Sequence, residues 1–287
     1  MSESFIKKIG IVVKPGDEEA LKTASELSSW LKERGVETVC EPRRAPRADA
    51  GADVLDIAIR DNSELIVVLG GDGTIISAAR LVGDKEIPVL GVNYGGLGYL
   101  TEFRIEEMYS AIESIITGDY VTDARVMLDV ELWRAEDRIA SGRVLNDAVI
   151  NKAILARIIN IEVRLNGLFV NTFRADGLIV GTPTGSTAYN LSAGGPLIYT
   201  STASLVITPI CPFTLTNRPI VVPDDAEIEV RLGGDSDGVM LTLDGQVGHK
   251  MQVGDRVAIR KSKTCFMMIR PTNRNYFDVL RKKLKWG

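Results

Sequence analysis

Glu64-Leu65-Ile66-Val67-Val68-Leu69 runs without a break into Gly70-Gly71-Asp72-Gly73-Thr74, and then into an apolar stretch from Ile75 to Leu81. A continuous apolar run of this length is the mark of a strand buried on both faces, as in a parallel sheet. The glycines interrupt it, and the stretch from Ile75 reads as a helix. A strand that ends on a glycine turn and opens a helix is the building unit of a three-layer α/β domain, and ligands bind such domains outside the carboxyl ends of the strands. Glycine lets backbone N–H groups approach an anion, and the helix N-terminus adds partial positive charge. Asp72 is out of place beside an anion unless its carboxylate accepts a proton or holds a cation. The plainer reading is that it caps the helix.

The same texture extends outward on both sides. Phe5 to Val13 is an expected strand, broken by Lys14-Pro15-Gly16-Asp17. Asp17 is placed to cap a helix reaching about Arg34, with Leu21, Ala24, Leu27 and Leu31 along one stripe. Val36 to Cys40 reads as a strand, and the polar, arginine-bearing Glu41 to Asp49 as a solvated loop. Ile87 to Val92 is the next strand, followed by Asn93-Tyr94-Gly95-Gly96-Leu97-Gly98-Tyr99 and a helix from Ile105 to Thr117. These elements predict an α/β fold with a mostly parallel sheet over residues 1–123.

Beyond residue 123 short alternating stretches take over: Val126 to Arg134, Ile158 to Leu165, Leu168 to Arg174, Ala226 to Leu232, Val239 to Leu243 and Arg256 to Ile269. Leu165-Asn166-Gly167 is a strong hairpin signal. Residues 124–271 are therefore expected to form a β-rich, sandwich-like domain. The basic segment Tyr276 to Trp286 has helical period, and the expectation is that 272–287 packs back on the first domain.

Composition excludes several classes. With 34 Lys and Arg against 38 Asp and Glu, the net charge of −4 offers no electrostatic pull on nucleic acid. No apolar run reaches the ~18–20 residues of a membrane span, and no secretory signal is visible, so a cytoplasmic protein is expected. Cys40, Cys211 and Cys265 are scattered and odd in number, which reads as reduced, mostly buried thiols. A single histidine, His249, excludes a metal site built on several histidines, and it reads as a surface or satisfied residue.

Two further clusters carry chemistry. Arg174-Ala175-Asp176-Gly177 leads through an apolar strand into Thr182-Pro-Thr-Gly-Ser-Thr187-Ala188-Tyr189-Asn-Leu-Ser192-Ala-Gly-Gly195. Hydroxyls, amides and an aromatic at this density suit the sugar, phosphate and base of a nucleotide. Asn146-Asp147 pairs an amide with a carboxylate, a set able to bind vicinal ribose hydroxyls, although alone the dipeptide is a common turn. Gly181 to Thr187 lacks the lysine of a Walker loop, and Gly96-Leu97-Gly98-Tyr99-Leu100-Thr101 has threonine at the third glycine position of a dinucleotide fingerprint. A Ser186–His249 triad lacks the Gly-x-Ser-x-Gly elbow.

Together these clusters resemble the NAD kinase family. The match runs from Gly70-Gly-Asp-Gly-Thr74 through Asn146-Asp147, Asp176-Gly177, Thr182 to Tyr189, Ser192-Ala-Gly-Gly195, Ile207-Thr-Pro-Ile-Cys-Pro212 and Arg218-Pro219 to Asp244-Gly245-Gln246. The glycine motif alone is shared with phosphofructokinases and with diacylglycerol or sphingoid lipid kinases; the long hydroxyl-rich cluster is the specific part. The resemblance implies transfer of a terminal phosphoryl group from ATP or polyphosphate, with Mg²⁺, to the 2′-hydroxyl of the adenosine ribose of NAD. It implies Asp72 as catalytic base and Gly71, Gly73 and Thr74 at the donor phosphates. It places Asn146 and Asp147 at the ribose, and Tyr99, Arg174, Asp176, Thr187, Ala188, Tyr189, Ser192 and Gln246 around the nucleotides. It also implies a homodimer or homotetramer. One departure stands out: the family usually has Asn-Glu where this chain has Asn146-Asp147. A lipid or sugar kinase is disfavoured by the Thr182 to Tyr189 loop, and a non-catalytic NADP(H) sensor by retention of Asp72.

Overall fold

The computed structural model describes residues 6–14, 16–39, 43–44, 54–96, 98–152, 158–234 and 238–286. The chain divides into two units, Met1–Ala124 with Phe266–Gly287, and Arg125–Cys265.

In the first unit the strands lie in the order Glu37–Thr38, Lys8–Val13, Leu65–Leu69, Val89–Asn93, Phe266–Arg270, Val121–Arg125. Lys8–Val13, Leu65–Leu69, Val89–Asn93 and Phe266–Arg270 pair in parallel. Alternate residues face opposite helix layers. Ile9, Ile11, Val13, Leu65, Val67, Leu69, Leu90 and Val92 pack with helices Glu18–Glu33 and Met108–Ile116. On the other face the sheet is thinned by glycine so that helices come close. A Cβ at Gly10 would lie 2.8 Å from Ile59 of helix Val54–Asn62, and one at Gly91 would lie 2.7 Å from Ile75 of helix Asp72–Val82. Asp17 caps the first helix by accepting from the Ala20 N–H at 3.1 Å, and Ala20, Ala24, Leu27 and Leu31 form its buried stripe.

The second unit is a sandwich of two antiparallel sheets. One runs Ile220–Pro223, Ser204–Ile210, Gly177–Gly181, Asp147–Lys152, Val239–Leu243, Val247–Met251. The other runs Leu168–Ala175, Ile159–Leu165, Ile228–Gly233, Arg256–Lys261, Leu128–Arg134, Asp137–Val144. Inward residues of both meet in one core, among them Leu128, Val130, Ile161, Val163, Ile150, Val180, Ile207 and Leu241. Asn166 and Gly167 turn the hairpin with φ of 50° and 78°, the pair of positive values that a tight two-residue turn demands.

Several sequence expectations are corrected. The stretch Arg256 to Ile269 is two strands in two sheets: Arg256–Lys261 belongs to the sandwich, and Phe266–Arg270 lies in the parallel sheet. The domain expected to end at 271 therefore gives up its last strand, because buried Phe266, Met268 and Ile269 complete the first core. Within Glu41 to Asp49, Arg43–Arg44 pairs with Val12 and Val13 as a short strand, and the rest of that stretch lies outside the described residues. Helix Val54–Asn62 and strand Asp137–Val144 have no counterpart among the elements expected from sequence. Cys211 is exposed and Cys265 half-buried, so neither is the buried thiol expected, and Cys40 lies outside the described residues. Among the described residues no helix is long and apolar enough to cross a membrane.

Candidate active site

In the first unit, buried strand Leu65–Leu69 delivers the glycine turn to the N-terminus of helix Asp72–Val82. Gly71 is the N-cap residue, and no side chain caps this end. Nothing lies within 4 Å of where a Cβ would stand on Gly71 or Gly73, so the protein leaves open space above both. A helix N-terminus with open glycines is the arrangement that receives an anion. Thr74 faces the other way: it is buried beneath Gly70, where a Cβ would crowd its hydroxyl.

Asp72 does not cap its own helix. Its Oδ1 accepts from the N–H groups of Leu100 at 3.0 Å and Thr101 at 3.1 Å, and from the Thr101 hydroxyl at 3.1 Å. Among the described residues its Oδ2 accepts only from the Tyr99 N–H at 2.9 Å, which leaves a lone pair open on that oxygen. Gly98 is required here, since a Cβ would sit on Asp72 Oδ1 and Thr101 Oγ1. Asn93 braces the same loop, donating to Gly96 O and Thr101 Oγ1 and accepting from the Gly95 N–H. Tyr99 is half-buried with Lys283 Nζ 5.7 Å from its ring centroid, and burial followed by the Asp72 charge raises its phenol above the ordinary value.

In the second unit, Asn146, Asp147, Val149, Asn151, Ala188, Tyr189, Thr242, Asp244 and Gly245 line a pocket of about 340 Å³. Strand alternation explains the wall: Asp147, Val149 and Asn151 face the pocket while Ala148 and Ile150 enter the sandwich core. The Asn146-Asp147 corner is held from two sides. Asp244, at a φ of 51°, accepts from the N–H groups of Leu145, Asn146 and Asp147 at 2.9, 2.8 and 3.1 Å. Thr182 donates its hydroxyl to Leu145 O at 2.6 Å and its N–H to Asn146 O at 2.8 Å. Gly185 packs directly on the Asn146 backbone, leaving no room for a Cβ.

The hydroxyl-rich loop divides into supports and exposed groups. Ser186 is buried, its single O–H donates to Pro183 O at 2.7 Å with Ile198 O at 3.2 Å, and it accepts from the Ile198 N–H, which rules it out as a nucleophile. Asn190 is also buried, donating to Ser186 O and Pro196 O and accepting from Thr208 at 2.6 Å. Thr187 and Ala188 are half-buried, while Tyr189 and Ser192 are exposed. Arg174 and Asp176 are not part of the pocket wall. Asp147 pairs with Gly181 at one end of a ladder and Asn151 with Gly177 at the other, and Asp176, next to Gly177, is paired with Lys152 at 2.7 Å. Arg174 lies 5.0 Å over the Phe213 ring. Gln246 is half-buried in the turn after Asp244. His249 sits half-buried on strand Val247–Met251.

Asp244, Gly98, Thr101 and Asn93 lie in stretches that the sequence marks out, but only the structure gives them a role as builders of these sites. Asp244-Gly245 carried a visible turn signal; the partners of the other three were too distant in sequence to see. Among the described residues no group of three or more His, Cys, Asp or Glu side chains gathers. A Mg²⁺ ion suits such a site only when substrate phosphates supply most of its ligands.

Residues 9–120 match the family model of the ATP-NAD kinase N-terminal domain, and residues 145–271 that of the ATP-NAD kinase C-terminal domain. Curated NAD kinases of Geotalea daltonii and Geobacter sulfurreducens are 49% and 47% identical over 282 residues, covering 98% of this chain and 99% of each relative. The crystal structure of an NAD kinase from Archaeoglobus fulgidus in complex with ATP superposes with a TM-score of 0.77 at 25% identity, covering 98% of this chain and 100% of that one. Yeast NADH kinase complexed with NADH shares the fold, with a TM-score of 0.88 at 22% identity over 98% of this chain and 88% of that one. Near-complete coverage at almost half identity, on top of a glycine turn and a polar pocket, leaves one assignment: the chain belongs to the NAD kinase family.

Proposed function

We propose that this NAD kinase transfers the terminal phosphoryl group of ATP, or of polyphosphate, to the 2′-hydroxyl of the adenosine ribose of NAD, giving NADP. The observation that carries the chemistry is the Asp72 carboxylate, locked by four donors with Oδ2 left one open lone pair. A ribose hydroxyl is a weak nucleophile, and a positioned carboxylate able to take its proton contributes about 10²–10⁴-fold. Gly71 and Gly73, with open space over them, suit the donor phosphates. Asn146, Asp147, Ala188 and Tyr189 suit the ribose and base of NAD. Phosphoryl transfer relies mainly on positioning and charge neutralisation, and a divalent cation arriving with the donor supplies part of the latter.

Support for a homo-oligomer comes from the second unit, where Leu168, Phe169, Phe213, Leu215 and Val221 are all exposed. A cytoplasmic location fits a soluble nucleotide substrate. Asp72→Asn tests the assignment of the base. It is expected to bind NAD while turnover falls at least ~10²-fold; turnover close to that of the parent would remove Asp72 from the chemistry.

A further inference from the structure

Asp147 and Asp244 face each other across neighbouring antiparallel strands. The ladder pairs Ala148 with Leu243, and the Asp244 N–H continues it by donating to Asp147 O at 2.9 Å. Both side chains line the same pocket, and the residues are only 4% and 8% exposed. Like charges directly opposite on one face of a sheet repel, and a buried charge without partners is costly. The donors are shared unequally. Asp244 receives three backbone N–H groups, which favour its ionised form, whereas no described residue donates to the Asp147 carboxyl.

No other described group relieves Asp147. None of the residues lining the pocket is basic. Strand Gly177–Gly181, on the far side of Asp147, carries no titratable side chain, and the helix Tyr189–Ser192 brings only the Tyr189 phenol. The nearest cation on the strand, Lys152, is engaged with Asp176 at its opposite end.

We propose that Asp147 meets NAD as a neutral carboxyl that donates a hydrogen bond, while Asp244 keeps the one negative charge of the pair. The pocket then selects a ligand atom that accepts, such as a ribose hydroxyl oxygen, where an ionised carboxylate would select a donor. This inference rests on the reading of the pocket as a dinucleotide site. Burial first, and the Asp244 charge second, push the Asp147 carboxyl up from 3.8 to about 7. Once the proton leaves, the hydrogen bond is lost and a second negative charge faces the ligand.

Calorimetric titration with NAD alone, between about pH 6 and pH 8.5, tests this, because the NAD pyrophosphate keeps its charge over that range. Above neutrality the parent is expected to lose affinity by up to ~10-fold per pH unit and to take up a proton on binding, read from the heat in buffers of different ionisation enthalpy. Asp147→Asn is neutral at every pH and keeps an N–H donor, so its affinity is expected to be flat across the range. Asp147→Ala, lacking the donor, is expected to bind more weakly than Asp147→Asn near pH 6. Pocket affinity independent of pH in the parent, with no proton uptake, would overturn the donor role, as would a slope that survives in Asp147→Asn. Absence of NAD binding at every pH would instead contradict the dinucleotide reading itself.

Discussion

Asp72 is bound to a loop that lies 27 to 29 residues further along the chain, and that attachment gives its oxygens different tasks. Oδ1 is saturated by the loop, and Oδ2, with one donor among the described residues, is the more open oxygen. Gly98 is the other half of the device. In Gly98→Ala the new methyl would displace the Asp72 carboxylate, so we expect a loss of about 1–3 kcal/mol in denaturant unfolding together with a fall in turnover. Unchanged stability and turnover would show that the contact is dispensable. Asp147 gives a second residue-scale prediction. Its folded pKa lies above its unfolded value, so the folded state holds the extra proton, and stability falls as pH rises from about 4 to about 7. The loss is at most about 4 kcal/mol. Asp147→Asn removes that burden, and its melting temperature relative to the parent is expected to rise with pH, reversing the usual direction for a carboxylate held by a cation. Asp72 and Asn146-Asp147 stood out in the sequence as candidates, because glycine spacing and paired amide and carboxylate chemistry are local. The partners were not. Nothing local to Asp72 names Tyr99 to Thr101, and nothing local to Asp147 names Asp244, since strand register decides that pairing.

At the scale of elements, the strand Phe266–Arg270 shows what local pattern cannot convey. Its short apolar run, Phe266 to Ile269, would serve either sheet, and it enters the parallel one beside Val89–Asn93. The polar partner of that strand supports the placement: Arg270 donates to both oxygens of buried Glu102 at 3.0 and 3.2 Å, with Asp123 at 3.7 Å. Arg270→Ala would leave the Glu102 carboxylate buried without its fork, and we expect a loss of about 3–5 kcal/mol in chemical denaturation. A loss below about 1 kcal/mol would mean that water reaches Glu102 and that the pair acts as a surface bridge. The first helix, by contrast, was legible from its Asp17 cap and its apolar stripe, because cap and spacing both lie within the element. The sequence also read the hydroxyl-rich loop as a single recognition segment. The structure divides it: Thr182, Ser186 and Asn190 turn inward and hold the backbone, and Ala188 and Tyr189 face the pocket. Only fold-level packing distinguishes the two sets, as both are small or polar residues in one stretch.

For the whole molecule, the order of units along the chain has a consequence for folding. The first unit closes only when Phe266–Gly287 returns to it, whereas Arg125–Cys265 is continuous. A chain stopped after Cys265 is expected to lose the cooperative melting of the α/β unit while keeping the β-type circular dichroism of the sandwich. Full cooperative melting of both units in that truncation would contradict the strand placement. The α/β-then-β division was legible from the change in texture near residue 123, but the return of the C-terminal strand was not. The proposed reaction draws on a group from each unit, the Asp72 carboxylate of the first and the polar pocket of the second. The most direct test is NADP formation by the purified chain from NAD and Mg²⁺, with ATP and polyphosphate supplied in parallel and Asp72→Asn alongside. The account predicts NADP with at least one donor, and at least ~10²-fold less from the variant. No NADP from either donor, by a protein that binds NAD, would contradict it.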